Sequence, residues 1–358
     1  MTGSGLSRRH LLTRGGLLLG AAVAAPSLLA SCSQAANNAV AGAGKTTVAG
    51  GGKTAVSMQL GWLLDNGQLG EAVAIGKGWY ADNGLDVKIT PGGPSIDGLT
   101  MVAGGRSQIG QISSSPSLML ASSQGIPTKA FAVGVQEHPY GFFSKSDKPV
   151  REPKDLIGKT VGTQATGQIL LSALLAANKI DPADVKVVVV GSDVTPLTTG
   201  RVDVWTGWVS NVAALRPLGT DYVVMRLWDA GIQLYANPYY TTDQMLKNDK
   251  ETLTKFLAAS AEGWKYAKEN LKESVDFLVK LVPSLNKDDM MAQGQVLLKY
   301  EFTDATVKDG WGTMNKDVWQ RQLDMWKSLG QFKGKVPSLA DVANFDILDA
   351  TAGQRPKV

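Results

Sequence analysis

The sequence predicts an α/β fold built as two lobes, followed by a helical C-terminal extension. Three observations carry that prediction. Residues 56–110 read as strand, helix, strand, helix, strand, with Val56, Met58 and Leu60 alternating with polar neighbours. Beyond residue 160 the same order of strand end, small polar loop and helix start returns. From Thr241 the apolar residues recur at helical spacing nearly to the end.

The N-terminal stretch reads as a targeting segment and is set apart from the fold. Residues 1–32 form a signal peptide: Ser7-Arg8-Arg9-His10-Leu11-Leu12 is a twin-arginine pattern, and an apolar run from Leu17 to Ala30, interrupted by Pro26, is too short for a membrane span. It ends in Leu29-Ala30-Ser31-Cys32, which resembles the lipobox of bacterial lipoproteins. Cys32 is therefore the expected lipidation site, and as the single cysteine it excludes an intrachain disulfide. Residues 33–55 are small, polar and glycine-rich and lack core-forming side chains, so they read as a flexible tether. The whole chain carries a net charge of +4, but removing Arg8, Arg9 and Arg14 lowers Lys+Arg from 36 to 33 against 32 Asp+Glu. A basic surface for nucleic acid is thereby excluded. About 300 residues remain, more than one hydrophobic core ordinarily holds.

The first unit nominates one wall of a ligand site. Trp62 follows the strand Val56–Leu60, and Asp65, Asn66 and Gly67 break the chain before a helix that Asp82-Asn83-Gly84 stops. Asp86–Thr90 alternates as a second strand, and Pro91-Gly92-Gly93-Pro94 turns the chain. Ligands of open α/β sheets bind beyond the carboxyl ends of the strands, which is where Trp62, Asp65 and Asn66 fall. A third strand, 108–112, ends at Ser113-Ser114-Ser115-Pro116, strong helix-start chemistry that either caps a helix or receives an anionic or carbonyl group. Lys129–Gln136 is a buried strand, after which His138 and Tyr140 sit where the chain leaves the first lobe, as turn residues or on a pocket rim. The other histidine, His10, belongs to the signal, so a metal site built on a histidine pair is excluded.

The charged segment 145–160, with two prolines, reads as the internal boundary. Val161-Gly162-Thr163 is a short strand, and the loop through Thr166 to Gln168 opens a helix running to about Asn178. Val185–Val190 and Val202–Thr206 are strands; the second leads to Trp205 and Trp208, with Asn211 opening the next helix. Tyr222–Leu227 returns towards the first lobe. In the helical part, Trp311, Trp319 and Trp326 are packing residues, while Glu301, in a break at Tyr300–Thr303, is either solvated or able to reach a pocket.

In order and spacing, residues 60–94, 102–127, 136–147, 153–163 and 200–208 (GRVDVWTGW) resemble the solute-binding lipoproteins of bacterial ABC importers. The narrower resemblance is to binders of thiamine-pyrimidine precursors and riboflavin, with nitrate, sulfonate and taurine binders as wider relatives. The resemblance implies the type II periplasmic-binding-protein fold, with hinge crossings near 141–150 and 228–236. Lobe 1 would comprise 56–143 and 234–358, and lobe 2 would comprise 144–233. It also implies that Trp62 stacks on the ligand ring, and that Asn66 and Glu301 bond its nitrogens. The usual W-x-x-N spacing is lengthened here by one residue.

Two binding hypotheses and one catalytic hypothesis follow. The aromatic residues Trp62, Tyr140, Trp205 and Trp208, with hydroxyl and amide neighbours, favour a small planar nitrogen-containing solute, pyrimidine-like or flavin-like. An anion such as nitrate, a sulfonate or taurine would instead use the helix starts at Ser113–Ser115 and Thr166–Gln168. A thiamine-pyrimidine synthase of the same fold would need a cysteine-rich motif and an active-site histidine, which the mature chain does not supply. The expectation is a non-enzymatic monomer, extracytoplasmic and lipid-anchored to the cell membrane, on the periplasmic side where an outer membrane exists. It needs no cofactor or metal, and its partners are a solute and the importer's permease and ATPase.

Overall fold

The computed structural model describes residues 47–48, 52–93 and 95–358. The signal peptide, Cys32 and most of the tether lie outside the described residues.

The first sheet begins with β1 (Thr47–Val48), paired antiparallel with the start of β2 (Thr54–Leu60). The strand thus takes up the last two residues assigned to the tether. After β2 come α1 (Leu69–Gly76), α2 (Trp79–Asp82), β3 (Leu85–Thr90), α3 (Gly98–Ala103), β4 (Ile109–Gln111), α4 (Ser115–Ser123) and β5 (Thr128–Val135). β2 runs parallel to β3 and to β4, with Val56, Met58 and Leu60 buried. The chain then enters a second sheet with β6 (Tyr140–Lys145), β7 (Thr160–Thr163), α5 (Gln168–Ala177), β8 (Lys186–Val189), α6 (Thr195–Thr198), β9 (Val204–Trp208), α7 (Val212–Leu215) and β10 (Tyr222–Arg226). That sheet has the order β10-β6-β9-β7-β8. β11 (Ala236–Thr242) returns to the first sheet and inserts antiparallel between β4 and β5.

The first crossing is shorter and earlier than expected: it spans 136–139, not 141–150. Tyr140–Lys145 pairs along one edge with β9 and along the other with β10, so it belongs to the second lobe. The charged, proline-containing segment 145–160 is a loop and turn within that lobe, not a linker between lobes. The second crossing runs through 227–235, between β10 and β11.

The C-terminal part consists of α8 (Asp243–Asn248), α9 (Lys250–Glu269), α10 (Leu271–Leu281), α11 (Lys287–Glu301), α12 (Asp304–Asp309), α13 (Lys316–Ser328), α14 (Leu339–Val342) and α15 (Asp346–Ala350). α9 packs on α1 with its backbone in direct contact: a Cβ at Gly263 would lie 2.0 Å from the Gly70 carbonyl oxygen, and one at Gly70 would lie 2.2 Å from the Trp264 ring. Only glycine permits this approach. Trp264 stacks on Trp311 with centroids 5.7 Å apart, and Trp319 and Trp326 are also fully buried. These rings fill the first lobe's core, where aromatic area contributes most per residue. Among the described residues no helix is long and apolar enough to cross a membrane.

Candidate functional site

The site lies between the lobes, at the carboxyl ends of the parallel strands. Leu60 ends β2, and the chain then passes Trp62 into a short 3-10 turn, Asn66–Gln68. Asp65 caps that turn: its Oδ1 accepts from the Gly67 N–H at 2.9 Å, and the Gln68 side chain accepts from the Asp65 N–H at 3.1 Å. This reciprocal box fixes the turn. It also accounts for the extra residue between Trp62 and Asn66, because Asp65 occupies the cap. Burial pushes the Asp65 carboxyl up, opposed by the Gly67 N–H.

Asn66 and Gln68 project from the turn into a network of amides. Gln68 Nε2 donates to Gln111 Oε1 at 2.6 Å at the end of β4, and Asn66 Nδ2 donates to Gln293 Oε1 of α11 at 3.3 Å. Asn237, at the start of β11, lines the same space and has a left-handed backbone (φ 50°), a conformation asparagine tolerates better than most residues. Such backbone is held only where its surroundings determine it, and it concentrates at ligand sites.

The second lobe supplies the opposite wall. The Tyr140 hydroxyl donates to Thr206 Oγ1 at 2.7 Å and lies 2.9 Å from Thr163 Oγ1; burial pushes the phenol up to about 12. A Cβ at Gly167 would come within 2.0 Å of the Tyr140 hydroxyl, so glycine lets the start of α5 close over it. Gln164 Nε2 donates to the Thr206 and Gly191 carbonyls at 2.9 and 3.1 Å, pinning its loop. Trp205, Trp208 and Asn211 complete this side.

The resulting cavity has a volume of about 130 Å³. Seven carboxamides (Asn66, Gln68, Gln111, Gln164, Asn211, Asn237 and Gln293) and three tryptophans line it; among the described lining residues Asp65 is the single carboxylate, and none is Lys, Arg or His. Asn66 Oδ1, Gln111 Nε2 and Trp205 Nε1 are buried without a hydrogen-bond partner. Buried polar atoms are rarely left unpaired, so an unpaired acceptor and unpaired donors around a cavity mark places for ligand atoms.

Trp62, Asp65, Asn66, Ser113, Tyr140, Thr166, Trp205, Trp208 and Asn211 are all brought together around this cavity. Ser114 and His138 stand instead on an adjoining chamber of about 110 Å³, with Ser114 Oγ 3.0 Å from His138 Nε2. Burial holds the imidazole neutral, its pKa lowered to about 3. Gln168 lines neither space and is exposed on the first turn of α5.

Glu301 is the main correction. It is 1 % exposed in the first lobe's core, where Trp311 Nε1 donates to its Oε1 at 3.0 Å and burial pushes the carboxyl well above the ordinary range. Gln293, Leu297 and Glu301 share one face of α11 at four-residue spacing. Gln293 and Leu297 line the cavity, and Glu301 lies one turn further on, inside the core. Gln68, Gln111, Gln164, Asn237 and Gln293 were missed. Gln68 and Gln164 share loops with nominated residues, and Gln111 ends a predicted strand. Asn237 and Gln293 carry no local signal.

The two mixed sheets, two crossings and intervening cleft make up the periplasmic binding protein fold. The family described as NMT1/THI5 like matches residues 67–274, and the chain belongs to it. The riboflavin-binding protein RibY of Chloroflexus aurantiacus is 28% identical over 231 residues, covering 62% of this chain and 66% of that protein. The formylaminopyrimidine-binding protein of Halalkalibacterium halodurans is 26% identical over 214 residues, covering 58% of this chain and 64% of that protein. The chain thus spans slightly less than two thirds of the length of these relatives. The periplasmic aliphatic sulphonate binding protein SsuA of Escherichia coli aligns with a TM-score of 0.60 at 17% identity, covering 78% of this chain and 94% of that one. The desulfurization enzyme DSZB aligns at 0.55 and 13% identity, covering 83% and 99%. These structural likenesses show the fold alone, and since both a binding protein and an enzyme share it, function has to be argued from the site.

Proposed function

We propose that the chain is the extracytoplasmic substrate-binding lipoprotein of an ABC importer. It captures a small, planar, uncharged nitrogen heterocycle, pyrimidine-like or flavin-like, between its lobes and delivers it to the permease. The observation that carries this reading is the lining of the main chamber: carboxamides and tryptophans, with no cation among the described lining residues. A ring whose edge alternates N–H donors and carbonyl or imine acceptors pairs with carboxamides, while its faces lie on indoles. Desolvating a sulfonate or nitrate here would lack the charge-assisted bonds that offset such a cost, which argues against the anion reading. The names of the two relatives agree with a heterocyclic solute. A synthase-like activity is disfavoured because no cysteine or histidine is among the described residues that line the main chamber.

In this reading the lipid on Cys32 anchors a monomer, the tether lets it reorient, and ligand-dependent approach of the lobes presents a form that the permease and ATPase assembly recognises. Thermal-shift measurements on the chain from residue 33 onward test the ligand class. Formylaminopyrimidine or riboflavin is expected to raise the melting temperature by mass action. Stabilisation by alkanesulfonates or nitrate alone would reject the heterocycle reading. Cys32→Ser tests the anchor and is expected to move the protein from the membrane fraction to the soluble one.

A further inference from the structure

The two crossings meet at one arginine. Arg226 is the last residue of β10, where the chain leaves the second lobe. One of its Nη atoms donates to Glu137 Oε2 of the first crossing at 3.2 Å, and the other lies 3.6 Å from Asp229 Oδ1 of the second. The guanidinium carbon lies over the Tyr300 ring, 5.0 Å from its centre, near the C-terminal end of α11. The Tyr300 carbonyl in turn accepts from the N–H groups of Gln136 and Glu137, at 2.9 and 3.3 Å. The His138 N–H donates to the Leu234 carbonyl at 3.0 Å, which ties one crossing to the other. A planar fork can pair with two acids and lie on a ring at once, which an ammonium group cannot.

Packing connects this cluster to the ligand cavity. Val135, Ala236 and Leu297 form a small core of their own, against which Tyr300 and, from the second lobe, Trp208 are packed. Leu297 and Trp208 both line the main cavity. At the other end of α11, Asp289 pairs with Arg216 of the second lobe. The arrangement that Arg226 holds is thus one in which the two walls already face each other. We infer that Arg226 is a positioning residue for ligand capture: it clasps both crossings and α11, and so sets the share of molecules whose lobes stand in the binding-competent arrangement. This rests on capture between the lobes, and not on which solute is captured. Arg226 lines neither chamber. Its influence on affinity therefore runs through the lobe equilibrium, because the apparent dissociation constant rises as the competent fraction falls. A charge-assisted hydrogen bond and a cation–π contact are together strong enough to shift such an equilibrium severalfold.

The interlobe distance tests this directly. Spin labels on Lys186→Cys in the second lobe and Lys272→Cys in the first, both exposed positions, report it by pulsed electron paramagnetic resonance, and the chain from residue 33 onward has no other thiol. Without any ligand, Arg226→Ala is expected to broaden the distance distribution, and Arg226→Lys to broaden it less. Tyr300→Leu should broaden it too, whereas Tyr300→Phe, which keeps the ring, should leave it as in the parent. Glu137→Gln preserves the side-chain shape and should also broaden it, which keeps the test open if the alanine variant folds poorly. For riboflavin or formylaminopyrimidine, whichever the parent binds, Arg226→Ala should lower the affinity about three- to tenfold. A distribution unchanged in both Arg226→Ala and Glu137→Gln overturns the inference, and so does a broadened distribution with unchanged affinity. If neither compound binds the parent, the heterocycle reading fails by itself, and the distance measurement still decides the role of Arg226.

Discussion

The Tyr239 hydroxyl donates a 2.6 Å hydrogen bond to Glu71 Oε1 inside the first lobe, while Glu71 Oε2 is buried without a partner. Burial outweighs the hydrogen bonds and pushes the Glu71 carboxyl from 4.5 up to about 7. The folded chain therefore holds this proton more tightly than the unfolded chain does. The linked stability is fully present below the unfolded value and is lost as pH rises through the folded one. Stability should fall between about pH 5 and pH 7.5 by an amount on the order of 3 kcal/mol. Glu71→Gln keeps an acceptor for Tyr239 and should flatten that dependence. Calorimetric melts of both forms across this range check it, and parallel pH profiles would remove Glu71 as the cause.

Trp62 is half-buried at the mouth of the cleft and takes no part in the core. Trp62→Ala is expected to weaken ligand binding by more than about tenfold, as loss of a central aromatic anchor does. The melting temperature of the unliganded protein should barely change. Titration calorimetry paired with a thermal melt reads both quantities, and unchanged affinity would take Trp62 out of the site.

Gln111 offers an unpaired Nε2 to the cavity while its Oε1 accepts from Gln68. Gln111→Leu should lower affinity by about tenfold or more, because a polar ring edge would then face a hydrocarbon. Selectivity for a ring edge over an apolar analogue should shrink in parallel. A variant that binds the heterocycle as tightly as the parent would show that Gln111 serves the fold alone.

Arg216 of the second lobe forms an ion pair with Asp289 of α11, the helix that also carries Gln293 into the cleft. The pair is exposed on the arginine side, so its contribution is small and screened by salt. Arg216→Ala is expected to loosen ligand binding about two- to fivefold at low ionic strength and hardly at all near 1 M salt. A loss that does not change with salt would mean the substitution acts through packing.

Much of the first unit was legible in the sequence because its signals are local. The alternation from Val56 to Leu60 and the glycine stop after Asp82 need no tertiary information. Trp62, Tyr140, Trp205 and Trp208 were visible for a related reason: each follows or enters a strand whose end could be read. The first crossing was misplaced because a cluster of lysines, acids and prolines has the composition of a linker whether it joins two lobes or forms a surface loop inside one. Glu301 was misjudged because a carboxylate between aromatics looks alike at a pocket wall and in a core. The carboxamides were hard to see for a different reason. Gln68, Gln111, Asn237 and Gln293 come from four separate stretches, and nothing in any one of them announces the others.

The backbone contact between Gly70 and Gly263 sets an order of events during synthesis. The first lobe is completed by residues from both ends of the chain, and its closing contacts are of long sequence separation, which form late. The second lobe is continuous, from β6 to β10, and all its strands have emerged before α9 begins. The middle of the gene product can therefore fold while the N-terminal strands and α1 still await their cover. A nascent chain interrupted before Gly263 would carry one finished lobe and one unfinished sheet, the state in which chaperone capture and aggregation compete.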